Sequence, residues 1–311
     1  MSTPNASAPL LPRHLLCGLD VEGRAHPAVQ AAVWLAETLG AEVEFTHAFP
    51  PRPLLWGKKD DMPEWVAGTE AAGRVLRESL REALRQAPTE LGLRTNADAL
   101  RFHVASGHPA HVLLDHARTS HADLIVLGPH QKHGRLDFGG TARGVLAHAA
   151  HGVWVQPARP KLVKRILVPV DLSETSLAAL RLARDLAQRF GAKLTAMQAF
   201  LPPTLGAMFP STEAVGPGYV VEHLLRAERD QFEAAMSAFD WRGVAHATRF
   251  EQGEPAEVVL ELQKEHDLIV LGTHGRTGLS AALLGSVAQA VLRSSTTPVL
   301  ALRQAKGTFL I

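Results

Sequence analysis

The stretch ILVPVDLSETSLAALRLARDLAQRFGAKL, Ile166 to Leu194, reads as a strand, a helix and the start of a second strand without a break. Arg165 to Val170 is a short β-branched run, apolar on both faces, that ends in Asp171. From about Ser173 the apolar positions Leu177, Leu180, Ala183 and Leu186 recur at three-residue steps, as one face of a helix requires, and the pattern stops at Gly191. Lys193 to Ala199 is then a second strand. A strand apolar on both faces that feeds a helix belongs in a parallel sheet covered on both sides.

The same stretch occurs earlier as LLCGLDVEGRAHPAVQAAVWLAETLGAEV, from Leu15. Asp20 and Asp171, Gly40 and Gly191, and Phe49 and Phe200 are each 151 residues apart. GHPAHVLL from Gly107 and GEPAEVVL from Gly253 lie 146 apart, and DLIVLG at Asp123 and at Asp267 lies 144 apart, as small loop deletions require. A period of about half the chain is domain duplication, not a solenoid. The fold class is α/β, twice. The expected organisation is a flexible tail over residues 1–12, a first domain over 13–158, a linker over 159–163, a second domain over 164–303 and a tail over 304–311.

The rest of the second half alternates in the same way. Phe200 to Gly218, FLPPTLGAMFPSTEAVGPG, is Pro/Gly-rich and is expected to hold no regular element. Leu224 to Phe239 reads as a helix, Ala245 to Phe250 as a strand, and Pro255 to Gln263 as a helix with proline in its first turn. Leu268 to Leu271 is a buried strand, Ser286 to Arg293 a helix and Pro298 to Leu302 a last strand.

Composition excludes several classes. In 311 residues, 32 basic side chains against 31 acidic ones give a net charge of +1, so no strong field for nucleic acid is expected. The single cysteine, Cys17, excludes an internal disulfide and multi-cysteine metal sites, and its apolar surroundings predict a buried core thiol. No stretch reads as a secretory signal or a bilayer span, which makes the cytoplasm the expected location. Sixteen histidines invite a metal reading, notably His148 with His151 and His130 with His133, but no third ligand stands at recognisable spacing and no metal site is expected.

Ligands of doubly wound sheets bind at the carboxyl ends of strands, where strand order reverses. Asp171 and the glycine segment after Leu271 occupy such ends. That segment is Gly272-x2-Gly275-x9-Gly285-Ser286. Gly272 and Gly275 are expected to supply positive φ and close backbone approach to a ligand. Gly285 and Ser286 start a helix, whose unpaired N–H groups favour an anion; the Ser286 hydroxyl can cap that helix or meet a phosphate. His274 and Arg276 can reach phosphates or stand solvated. It is neither a Walker loop nor a GxGxxG loop, and the glycines alone fit a tight structural turn equally well.

ILVPVDLSETSLAAL at Ile166, DLIVLGTHGRTG at Asp267 and the spacing that ends at Ser286 together resemble the universal stress protein family, as two tandem domains spanning about Arg13 to Arg303. The resemblance implies a five-stranded parallel sheet of order 3-2-1-4-5 in each domain, flanked by helices. It implies ATP, or AMP or ADP, in the second domain with Mg²⁺ as an optional companion. The nucleotide would be held by Val170, Asp171, Ala199, Gly272, Gly275, Gly285 and Ser286, with Val287 behind them. It also implies pairing of last strands: Val153 to Val155 against Pro298 to Leu302 within one chain, or the same contact in a homodimer. Protein partners are not named by the sequence, and neither nucleic acid nor a membrane is expected. The tail Lys306 to Ile311 ends in apolar residues expected to pack on this chain or a second copy.

The first half departs from this pattern. Gln131 stands where the second glycine belongs, and Gly140-Thr141 follows it after eight residues, not nine. A Cβ there obstructs close approach, so the first domain is expected to be empty or to hold a different ligand. No set of catalytic residues assembles in the sequence, which points to a ligand-dependent conformation or partner binding. The rivals are a nucleotide-independent adaptor and a weak ATPase or adenylyl-transfer enzyme.

Overall fold

The computed structural model describes residues 11–20, 25–49, 69–128, 131–132, 135–136, 140–150, 152–203, 217–274 and 284–303. The first half runs β1 (His14–Leu19), α1 (His26–Leu39), β2 (Glu42–Phe49), α2 (Thr69–Arg85), β3 (Arg101–Ser106), α3 (Pro109–Thr119), β4 (Leu124–Leu127), β5 (Gln131–Lys132), β6 (Arg135–Leu136), α4 (Gly140–His148) and β7 (Gly152–Val155). The second runs β8 (Arg165–Pro169), α5 (Glu174–Phe190), β9 (Lys193–Phe200), α6 (Pro217–Ala238), β10 (His246–Gln252), α7 (Pro255–Leu262), β11 (Leu268–Gly272), α8 (Ser286–Ser294) and β12 (Val299–Leu302).

All but the small hairpin β5–β6 join one ten-stranded sheet in the order β10-β9-β8-β11-β12-β7-β4-β1-β2-β3. Each half therefore has the order 3-2-1-4-5 with parallel neighbours. The two halves meet at an antiparallel pair, Val299 opposite Val155, Leu300 opposite Trp154 and Ala301 opposite Val153. Strand register within each half makes Val153 the counterpart of Val299, so the junction is self-complementary and centred on Trp154 and Leu300, as in an isologous dimer contact.

Side chains alternate strictly between two cores. Leu15, Cys17, Val126, Trp154, Ile166, Val168, Leu268, Val270 and Leu300 face one core, with Ala28, Val29, Leu76 and Leu80 from α1 and α2 and Leu180 and Ala183 from α5. Leu16, Ile125, Val153, Leu167, Ile269, Val299 and Ala301 face the other, with Leu113, Val145, Val259 and Val291 from α3, α4, α7 and α8. Both cores cross the boundary between the halves. On the first face Trp34 of α1 and Phe190 of α5 bring their rings to 5.0 Å across that boundary, and Arg189 donates to the Thr38 carbonyl.

The repeated aspartate of DLIVLG has a structural task in both copies. Asp123 accepts the N–H groups of Arg13 and His14 at 2.9 and 3.2 Å. Asp267 accepts those of Lys164 and Arg165 at 3.1 and 2.9 Å. Each ties the fourth strand to the start of the first, at the end of the sheet opposite the carboxyl ends. Cys17 is fully buried, and burial followed by the nearby Asp20 charge pushes its thiol far above the ordinary value, consistent with a core thiol.

One expectation is corrected. Helix α6 begins at Pro217, seven residues before Leu224, because proline in a first turn has no N–H that the helix needs. The first-domain loop forms an antiparallel hairpin, Gln131 opposite Leu136 and Lys132 opposite Arg135. The tail Lys306 to Ile311 lies outside the described residues.

His266 is buried between the Leu262 carbonyl, 2.7 Å from Nδ1, and the Thr195 hydroxyl, 3.1 Å from Nε2. Burial, the largest effect, lowers its pKa below the ordinary 6.5. The unfolded chain therefore takes up a proton that the folded chain refuses, and stability falls as pH drops below about 6.5. His266→Gln is expected to reduce the loss of Tm between pH 7.5 and 5.5, measured by thermal denaturation; an unchanged loss would assign it to other groups.

Candidate functional site

In the second half, strands β8 and β11 are neighbours from which the chain departs in opposite directions, so their carboxyl ends open a crevice. A cavity of about 330 Å³ fills it, lined by Pro169, Val170 and Asp171 after β8, by Met197 and Ala199 of β9, by Pro255 and Val259 of α7, by Leu271 to His274, and by Gly285 to Ala288 at the start of α8.

The wall at Asp171 is held by a local hydrogen-bonded turn. Asp171 Oδ1 accepts the Ser173 N–H at 3.0 Å and its hydroxyl at 2.6 Å. The Ser173 hydroxyl oxygen in turn accepts the Ser176 N–H at 3.2 Å, capping α5. Leu172 between them has φ 62°, a conformation that costs a branched side chain free energy and is sustained by these bonds.

The opposite wall is the start of α8. Gly285 caps the helix with an extended backbone and no side-chain hydrogen bond. Ser286, Val287 and Ala288 form its first turn, where N–H groups have no partner within the helix. All three line the cavity, so amides and the positive end of the helix dipole border it. The Gly285 N–H donates to the Thr273 carbonyl at 2.7 Å, tying together the two ends of the intervening loop.

Of the residues singled out from sequence, Val170, Asp171, Ala199, Gly272, His274, Gly285, Ser286 and Val287 all line this one cavity. Gly275 and Arg276 lie outside the described residues. The role expected of Gly272 is corrected: it is not among the residues with positive φ. A Cβ on it would stand 2.9 Å from Thr175 Cγ2 and 3.2 Å from the Thr175 carbonyl carbon, so its lack of a side chain serves the approach of β11 to the first turn of α5. The Ser286 hydroxyl is exposed and does not cap the helix.

Met197, Pro255 and Val259 also line the cavity and were not singled out from the sequence. The signal for the latter pair was the repeated GxPA turn. Gly253, at φ 144°, turns the chain sharply from β10 into α7 and so sets Pro255 against the crevice. No group of three or more His, Cys, Asp or Glu side chains among the described residues could hold a metal ion. His148 lies in the last turn of α4, while His130, His133 and His151 lie outside the described residues. No helix among the described residues is long and apolar enough to cross a membrane.

A smaller cavity of about 210 Å³ occupies the same place in the first half, lined among others by Gly18, Asp20, Thr46, His47, Leu113, Gly128 and Thr141.

The sequence model of the universal stress protein family matches residues 12–157 and again 163–303. The chain belongs to the universal stress protein family. A universal stress protein of Mycolicibacterium smegmatis is 26% identical over 300 residues, covering 93% of this chain and 96% of its own. One of Methanocaldococcus jannaschii is 35% identical over 150 residues, 47% of this chain and 85% of its own. Among solved structures, a universal stress protein from Archaeoglobus fulgidus superposes with a TM-score of 0.61 at 17% identity, covering 93% of this chain and 98% of its own, which shows a shared fold. The tandem architecture of this universal stress protein thus extends over whole relatives, while the shorter match corresponds to about half of the chain.

Gly272→Ala is expected to cost about 1–3 kcal/mol, the usual range for forcing a methyl group into packed backbone, as measured by denaturant unfolding. A loss below about 0.5 kcal/mol would show that β11 and α5 separate easily.

Proposed function

We propose that this universal stress protein binds ATP, or AMP or ADP, in the second-domain cavity and acts in stress response through ligand-dependent conformation or partner binding. The observation that carries the reading is the convergence of a carboxylate turn, an apolar slot and a helix start on one cavity. Asp171 stands at one end, Met197, Ala199 and Val259 form the slot, and the first-turn amides of α8 stand at the other end. An adenine ring is served by apolar walls with main-chain partners near the end of β9, a ribose by a carboxylate, and phosphates by unpaired amides. His274, and Gly275 and Arg276 beyond it in sequence, belong to the same proposed site. Mg²⁺ would arrive with the phosphates.

Dedicated catalysis is not part of this reading. Among the described lining residues Asp171 and His274 are the ionisable side chains, and Asp171 Oδ1 is already engaged by Ser173. Phosphoryl transfer requires a metal-holding carboxylate, a positioned nucleophile and a cation for the developing charge. Retained nucleotide as a ligand fits the cavity better than turnover, and the proposed location is the cytoplasm.

Ser286→Pro tests the phosphate end with little change to the fold. Proline suits the first helical position, and the extended Gly285 before it, at φ −60° and ψ 150°, is compatible. The variant deletes one amide donor and the hydroxyl. Calorimetry on nucleotide-free protein is expected to show one ATP or AMP per second-domain cavity in the wild type, and roughly 10- to 100-fold weaker binding in the variant, the size of a lost hydrogen bond to a charged group. Absence of binding to the wild type, or equal affinity in both, would refute the proposal.

A further inference from the structure

On the α3 side of the sheet, near the amino ends of β1 to β3, the first half gathers titratable side chains from four elements. Glu44 of β2 lies opposite Arg101 of β3, whose Nη2 is 3.3 Å from Glu44 Oε1 and 2.9 Å from Glu42 Oε2. His116 of α3 sets Nε2 3.2 Å from Glu44 Oε2, and because an ionised carboxylate only accepts, that nitrogen donates. His14 of β1 donates from Nδ1 to the Ser120 carbonyl at 2.8 Å. Its Nε2, 3.8 Å from the same Glu44 oxygen, then carries no proton while the ring is neutral, and it has no hydrogen-bond partner among the described residues. His103 of β3 stacks flat on His116, with ring centroids 4.4 Å apart and planes 8° from parallel. Asp123 accepts the main-chain N–H of His14, and Asp115 and Arg118 pair with each other on the exposed side of α3.

The second half fills the same place differently. Strand registers and the repeated GxPA turn put Arg165 at the position of His14, Thr195 at that of Glu44, Arg249 at that of His103 and Leu262 at that of His116. Arg165 and Arg249 are permanently charged and pair with Asp267 and Glu265, and His266 is bonded on both nitrogens. Three imidazoles around one carboxylate are thus a feature of the first half. With these rings neutral, Glu42 and Glu44 against Arg101 leave the cluster one negative charge. A single proton balances it. Further protons load it with uncompensated positive charge, and His103 and His116 then hold like charges face to face. Burial, followed by the His103 charge, lowers the pKa of His116 below the ordinary 6.5, against the opposing bond to Glu44. A state in which His116 reaches water therefore takes up a proton that the closed arrangement refuses, and the closed arrangement loses ground as pH falls below about 6.5.

We infer that His14, Glu44, His103 and His116 form an acid-operated latch in the first half, which holds α3 and the edge strand β3 against β2 while the rings are neutral and releases them when His103 and His116 are both protonated. Strand β3 ends the sheet and has β2 as its one neighbour, so it can part without breaking a ladder on a second side. The helix side of the latch leads to the first-half cavity, because α3 carries Pro109 and Leu113 in its wall. Acid then changes that wall, while α7, with Leu262 at the latch position, keeps its place beside the second cavity.

Amide hydrogen exchange on the full chain carrying His266→Gln, which removes the second half's own buried histidine, isolates the latch. With rates referred to the intrinsic exchange rate at each pH, protection of α3 and of the β3 amides bonded to β2 is expected to fall about tenfold between pH 7.5 and 5.5, the effect of one proton over the pH unit below 6.5. Protection of β10 and α7 is expected to hold. His116→Leu, which copies the second half, is expected to abolish the fall. His103→Gln replaces an exposed side chain and leaves the fold in place; it is expected to raise the pH at which the His116 ring titrates by NMR and to lessen the fall. No fall at β3 and α3, an equal fall in both halves, a fall that survives His116→Leu, or a His116 titration indifferent to His103→Gln would each overturn the inference.

Discussion

The rest of the structure depends on the antiparallel pairing of β7 with β12. A five-stranded parallel sheet of order 3-2-1-4-5 exposes its fifth strand as an edge, and a short apolar edge such as Val153 to Val155 invites uncontrolled association. Duplication supplies each edge with its own complement. Because the register is centred on Trp154 opposite Leu300, the two strands satisfy one another's main-chain groups and both cores continue across the join. The sheet's outer edges are β3 and β10, which carry Arg101 and His103, and His246, Arg249 and Glu251. Charged side chains there discourage further strand addition.

This join also explains how the two cavities differ in lining without disturbing each other. Each cavity sits at the carboxyl ends of its own first and fourth strands, where loops and first-turn residues make the walls and the strands behind them carry the stability. Threonine at position 46, where the second half has Met197, alters the lining of a cavity, while the buried strand faces Leu15 to Cys17 and Ile166 to Val168 remain intact. A tandem chain can therefore keep the lining of one cavity and remodel the other.

Much of the fold was legible in the sequence because its signals are local or repeated. The strand apolar on both faces at Ile166, the three-residue steps from Leu177 to Leu186, and the αL glycine that ends the helix at Gly191, φ 64°, are each decided by a few neighbouring residues. The strand order came from resemblance, not from pattern. What failed to read was set by distance along the chain. Gly272 looks like a loop glycine, yet its constraint comes from Thr175, nearly a hundred residues earlier. Thr46 looks like an ordinary strand threonine, and only its register beside Gly18 places it at a cavity floor. Pro217 looked like a helix breaker because its position in the first turn is known only once the helix is seen.

Pairing of β7 with β12 makes one sheet of the two homologous halves, and one sheet is expected to unfold as one cooperative unit. Native-state hydrogen exchange of the amides in Gly152–Val155 and Val299–Leu302 tests it most directly. Protection of these amides matching that of the central strands β1 and β8, with all four lost in a single unfolding transition, is the predicted result. Exchange at β7 and β12 far faster than at β1 and β8, or separate unfolding of the two halves, would contradict it.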